Sequence, residues 1–166
     1  MREILDKTGR VSIMTSGGYD PIHGGHISCI QSARHKAFQQ MSHGRALQIN
    51  EFIVVVNGDR FLEQKKGRAF MPLRARCQVV SAIRGVDYVV PFIATNHNDM
   101  SVCEAIEIIK PTYFCKGGDR NLDNIPEVDV CKKIGTEIIT GCGEDKYWSS
   151  SDFINKHNEW MLNGNS

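Results

Sequence analysis

Five consecutive apolar residues, Phe52-Ile53-Val54-Val55-Val56, restrict the fold of this chain more than any other feature. A run with no polar alternation suits a strand covered on both faces, as in the middle of a parallel sheet. Four further short segments read as strands: Val11-Ser12-Ile13-Met14-Thr15, Tyr88-Val89-Val90, Thr112-Tyr113-Phe114-Cys115 and Glu137-Ile138-Ile139-Thr140. Helical spacing fills the intervals. Ile27, Ile30, Ala33, Ala37, Phe38 and Met41 follow the first strand, and a polar connector, Ser42 to Gln48, leads to the second. Leu73, Cys77, Val80 and Ile83 lie between Pro72, suited to a helix start, and Gly85, suited to its end. Ser101-Val102-Cys103-Glu104 has the pattern of a reciprocal cap, and Pro111 stops the helix that follows. Phe153, Ile154, His157, Trp160 and Met161 form the stripe of a last helix. Alternating strands and helices with right-handed crossovers predict an α/β fold: a doubly wound, five-stranded parallel sheet.

The 166 residues show no internal repeat and no dividing linker, so a single domain over 1–166 with its core in 11–156 is expected. A chain of this length buries roughly 70% of its unfolded surface and needs no metal or disulfide to fold. Twenty basic against nineteen acidic residues leave a net charge of +1. That balance argues against a nucleic-acid partner or an electrostatic membrane anchor. No apolar run is long enough to span a bilayer, and Met1 to Lys7 lacks a signal-peptide core, so a cytoplasmic protein is expected. The six cysteines show no C-x-x-C and no zinc-ribbon spacing, and read as reduced core thiols.

In a doubly wound sheet, ligands bind beyond the carboxyl ends of the strands. Behind the first strand lies Ser16-Gly17-Gly18-Tyr19-Asp20-Pro21-Ile22-His23-Gly24-Gly25-His26. Glycines let backbone approach a ligand closely. His23 and His26, three apart at a helix start, face one side beside free N–H donors and the positive end of the dipole. Ser16, Gly17, Gly18, Tyr19, Asp20 and Gly25 complete a cradle for a phosphate chain. Zinc is not expected at the histidines, because no third ligand lies at a fixed short spacing. Behind the second strand, the charged run Asn57 to Arg68 reads as a loop offering Lys65 and Lys66, with Arg74 and Arg76 as a second phosphate clamp. Behind the fourth comes Lys116-Gly117-Gly118-Asp119, whose carboxylate suits ribose, Mg²⁺ or a loop backbone equally. Behind the fifth, Ser149-Ser150-Ser151 offers a helix cap together with hydroxyls and amides for phosphate oxygens.

These four motifs, in this order, resemble the H-x-G-H nucleotidyltransferase superfamily. More narrowly, the chain from Val11 to Lys156 looks like the cytidylyltransferase-like family, which includes glycerol-3-phosphate cytidylyltransferase and the adenylyltransferase domain that makes ADP-heptose. The resemblance implies a Rossmann-like nucleotidyltransferase fold. It also implies a reaction in which a phosphate-monoester oxygen attacks the α-phosphorus of CTP or ATP and pyrophosphate leaves. By position, His23 and His26 would bind the triphosphate, and Lys65 or Lys66 would neutralise the α-phosphate and the acceptor. Ser149 to Ser151 would hold the β- and γ-phosphates, and the backbone amides of Gly17, Gly18 and Tyr19 would assist. Mg²⁺ would be held mainly by phosphate oxygens, and a homodimer is the family expectation. Gly18, Glu144, Tyr147 and Trp148 depart from the relatives, which leaves base and acceptor open. A small sugar or polyol phosphate is the expected acceptor, since no amphipathic basic helix suggests membrane docking. The alternative is a nucleotide-binding sensor without turnover. An RNA-end enzyme is disfavoured by length and charge.

Overall fold

The computed structural model describes residues 11–41, 49–118, 123, 125–143 and 149–163, the side chains of 49 and 50 excepted. In chain order the elements are β1 (Val11–Gly17), α1 (Gly24–Met41), β2 (Ile49–Asn57), α2 (Asp59–Lys66), α3 (Leu73–Ser81), β3 (Tyr88–Phe92), α4 (Cys103–Ile109), β4 (Tyr113–Gly117), α5 (Val128–Ile134), β5 (Glu137–Cys142) and α6 (Ser150–Asn163). The strands form one sheet in the order β3-β2-β1-β4-β5. Every pairing is parallel. Chain progression reverses between β1 and β4, which places the ligand crevice of such a sheet over their carboxyl ends.

The apolar run in β2 divides between the two layers by simple alternation. Phe52, Val54 and Val56 pack with Ile13, Ile30, Ala33, Ala37 and Val80 on the side of α1 and α3. Ile53 and Val55 pack with Met14, Val102, Ile106, Phe114 and Cys131 on the side of α4 and α5. Each fully buried aliphatic side chain contributes about 1.5–3 kcal/mol, which is why β2 sits in the interior of the sheet. All six cysteines are free thiols, and Cys115, Cys131 and Cys142 are buried.

Two helices lie where the sequence reading placed none. Residues 59–66 form α2 rather than a loop, closed by Gly67 in the left-handed conformation (φ 82°) with its N–H on Glu63 O. Its composition of Leu, Glu, Gln and Lys favours a helix, but with Leu62 alone buried it shows no apolar period. The short α5 rests on the sheet through Cys131. At α4, Ser101 Oγ accepts the N–H of Cys103, but Glu104 bonds the N–H and hydroxyl of Thr95 instead of completing a cap.

The last helix departs furthest from expectation. Its apolar stripe does not enter the core: Trp160 is 66% exposed, and of the helix only Ser150 is buried.

Candidate active site

The H-x-G-H segment is a helix cap built from imidazoles. His23 O accepts the N–H of His26 at 2.9 Å and of Ile27 at 3.3 Å, which makes His23 the cap residue of α1. Its own Nδ1 accepts the N–H of Gly25 at 3.1 Å. His26, three residues on, reaches back so that its Nδ1 accepts the N–H of His23 at 3.3 Å. This is the reciprocal geometry of a capping box, with histidines in place of Ser and Glu. Because each Nδ1 lone pair faces an N–H donor, each ring is held as the neutral tautomer with its proton on Nε2. Two Nε2–H donors thus stand at the positive end of an 18-residue helix.

Electrostatics hold the same state. Burial, then His23 and Lys66, push the pKa of His26 down to about 3. His23 is lowered by burial and by Lys66, with Asp152 acting in the opposite direction. The rings lie 3.9 Å apart, close enough that one imidazolium disfavours a second.

The lysine at the site is Lys66. Its ammonium donates to Asp20 O at 3.0 Å, it perturbs both histidines, and burial lowers its pKa. Lys65 is exposed and turns over the Phe61 ring at 5.4 Å. The helix resolves the pair: neighbouring positions on α2 point about 100° apart, so only one faces the glycine-rich loop.

Asp20 and Arg76 correct the sequence reading. Asp20 is buried, and its carboxylate accepts the N–H of Phe70 at 2.7 Å and of Met71 at 2.6 Å. It tethers the glycine-rich loop to the α2–α3 connection. Arg76 is 0% exposed. Its Nε donates to Met71 O, its Nη1 to Gly18 O and Asn57 O, and its Nη2 to Asp59. The planar guanidinium is consumed by internal acceptors, so it is a strut and not a phosphate clamp. Arg74 is exposed on α3.

The carboxyl-terminal contribution comes from the start of α6. The three serines divide their work. Ser149 caps the helix: its N–H and hydroxyl bond Asp152, and its Oγ accepts the N–H of Asp152. Ser150 Oγ donates to Pro21 O at 3.1 Å, docking α6 beside the histidine loop. Ser151 is exposed. Phe153, unread as a site residue in the sequence, lies 5.6 Å from His23 ring to ring. Lys116, on the Phe114 side of β4, pairs with the buried Glu127 at 3.4 Å and is directed toward α4 and α5 instead of the histidines. Gly117 is packed against Cys29, whose Sγ occupies the space a side chain would need. Gly118 is exposed with φ 69°. Ser16, Gly17 and Gly18 end β1 and begin the loop beneath the histidines, and Gly25 is exposed in the first turn of α1. Asp119, Glu144, Tyr147 and Trp148 lie outside the described residues.

Among the described residues no cluster of His, Cys, Asp and Glu forms a metal site, and no helix is long and apolar enough to cross a membrane. What remains is an arrangement of neutral imidazole donors, one ammonium, helix-start amides and hydroxyls. It is suited to a polyanion that develops charge.

The chain is 30% identical over 132 residues to the bifunctional protein HldE of Alcanivorax borkumensis, covering 78% of this chain and 24% of that protein. It is 31% identical over 134 residues to HldE of Coxiella burnetii, covering 80% of this chain and 25% of that one. The chain therefore spans about a quarter of the length of these curated relatives. A lipopolysaccharide core biosynthesis protein from Thermoplasma volcanium shares the fold, with a TM-score of 0.60 at 20% identity over 81% of this chain and 98% of that one. Residues 14–138, from β1 into β5 and including both histidines and Lys66, match the cytidylyltransferase-like family, and the chain belongs to that family.

Proposed function

We propose that this site transfers a nucleoside monophosphate from CTP or ATP to a small sugar or polyol phosphate, releasing pyrophosphate. An acceptor phosphate oxygen attacks the α-phosphorus, and the bond from that phosphorus to the bridging oxygen of pyrophosphate breaks. The observation that carries this reading is the pair of imidazoles whose Nδ1 atoms accept backbone N–H groups, which leaves two Nε2–H donors at a helix N-terminus beside Lys66. Such a reaction needs no protein nucleophile; positioning and charge stabilisation supply most of the acceleration.

His23 and His26 donate to oxygens of the triphosphate, which gain charge as pyrophosphate departs. Lys66 neutralises the α-phosphate and the incoming phosphate. The exposed hydroxyl of Ser151 and the first amides of α6 receive the distal phosphates. Mg²⁺ would neutralise triphosphate charge. It would be held by phosphate oxygens and water; among the described residues, Asp20 is engaged by backbone amides and Asp152 by Ser149. A sugar phosphate acceptor is supported by the resemblance to the adenylyltransferase domain that makes ADP-heptose. A homodimer is part of the same proposal, checked by sedimentation.

The test is pyrophosphate release with Mg²⁺, presenting each of the four nucleoside triphosphates with pooled sugar and polyol phosphates. Release requiring both partners identifies the base, and mass spectrometry of the product names the acceptor. Tight nucleotide binding by a folded protein with no release in any mixture refutes transfer and favours a sensor.

A further inference from the structure

We propose that Tyr19 is a positioning residue for this site: its buried ring sets the plane of the His26 imidazole and so the direction of the Nε2–H donor. The proposal rests on the transfer reading given for His26.

Tyr19 is one of two non-glycine residues with positive φ among the described residues, at 53°; the other, Lys110, ends a helix. Residues with a Cβ avoid this region, and a bulky aromatic residue avoids it strongly. Such conformations persist where the surroundings over-determine them, and they gather at functional sites. Here the surroundings are specific. The ring lies flat against Gly17, where an added Cβ would sit 3.0 Å from its Cζ. Its hydroxyl bonds the side chain of Thr15, whose own hydroxyl donates to Cys115 O at 3.0 Å across the β1–β4 pair. The phenol is thereby fixed at its tip and along one face, and it is 4% exposed. It also meets His26 edge-on, at 5.3 Å with the planes at 68°.

His26 needs that contact. Its ring accepts the N–H of His23 at 3.3 Å, long enough to hold the ring plane weakly. The His23 ring, 3.9 Å away, supports the other side. Tyr19 and His23 thus form two walls, and the strained backbone at Tyr19 brings the first into place.

The groups facing His26 are Tyr19 from the loop, His23 at the start of α1 and Lys66 from α2, with Asp152 of α6 acting on His23. Removing the ring admits water beside His26 while these charges stay. Tyr19→Leu is expected to lower kcat about tenfold or more with the nucleotide KM within about threefold. In the same variant the His26 titration, followed by ¹⁵N NMR, is expected to move up from about 3 by about one pH unit or more. Tyr19→Phe, which keeps the ring and gives up the hydrogen bond at its tip, is expected to recover most of what Tyr19→Leu loses in both. Wild-type titration and kcat in Tyr19→Leu would overturn the proposal, as would a loss in Tyr19→Phe equal to that in Tyr19→Leu. If Tyr19→Leu does not fold, the wild-type protein decides: cross-relaxation between Tyr19 ring protons and His26 Hε1 is expected, and its absence overturns the assignment. These NMR readouts need no turnover. A wild-type protein silent toward every triphosphate sinks the transfer reading, whereas an unmoved His26 titration in Tyr19→Leu sinks this one.

Discussion

Replacing Arg76 by Met separates the two roles an arginine can play here. The substitution keeps most of the aliphatic volume and deletes the guanidinium. Three backbone carbonyls, Gly18, Asn57 and Met71, lose their side-chain donor, and Asp59 loses its ion pair. A buried acceptor left without a donor costs about 1–3 kcal/mol. The four bonds share one planar group, so their losses do not add. The Asp59 side chain is 41% exposed and rehydrates, so its share is small. A total of about 3–5 kcal/mol is the expected range for removing one partner of a buried charged network. For a domain of this size each kcal/mol moves the melting temperature by about 2–4 °C, which places the expected fall near 10 °C. The assay is thermal unfolding by circular dichroism, paired with calorimetric titration of CTP and ATP well below the transition. Asp59→Asn is expected to cost about 1 kcal/mol or less, and Arg76→Lys to recover part of the loss. An unchanged melting temperature together with abolished nucleotide binding would refute the reasoning, since Arg76 would then be reaching phosphate.

Other outcomes follow from the same geometry. Lys66→Ala is expected to lower turnover about a hundredfold, and Lys65→Ala to stay within about threefold, read from steady-state pyrophosphate release; equal losses would show that both ammoniums reach the ligand. His26→Ala is expected to lose roughly a hundredfold or more in turnover with its circular dichroism spectrum unchanged. The same histidine sets a pH dependence of stability. Its folded pKa of about 3 lies below the ordinary 6.5, so between those values the unfolded chain binds a proton that the folded chain does not. Its contribution is complete above pH 6.5 and lost as pH falls toward 3, with a slope of up to about 1.4 kcal/mol per pH unit for the single proton. Urea unfolding across pH 4–6.5 reads that slope. His26→Ala should flatten it, and an unchanged slope would assign the effect elsewhere.

Much of this fold is legible in the residues themselves. The unbroken run Phe52–Val56 implies a two-sided strand, and β2 indeed divides its side chains between both layers. All five strands fall on segments that read as strands, with bounds extended by up to three residues at an end and, in β4, begun one residue later. The misread parts have physical reasons. In α2 the only buried residue is Leu62, so no apolar period betrays a helix, although helix-forming residues and a closing Gly67 were present. The stripe on α6 reveals that the helix has an apolar side but not what lies opposite it. At the site, the His23–His26 spacing is the strongest signal because it is also the spacing of a cap. The inward turn of Asp20 and Arg76 was not legible, because a charged residue beside a ligand loop looks the same in sequence whether it reaches out or reaches back. Phe153 was visible only as a stripe residue; its place beside His23 depends on how α6 docks.

That docking has a further consequence. Helix α6 meets the body through its first turn, where Ser150 bonds Pro21 and Phe153 meets His23, and every residue from Asn155 to Asn163 is exposed. The histidine loop, by contrast, is wired into the interior by Asp20, Arg76 and Tyr19. Substitutions in the histidine half are therefore tested twice, once for folding and once for chemistry. Beyond its first turn, α6 is released from the first of those tests. Changes along its exposed length are therefore expected to leave the buried core intact.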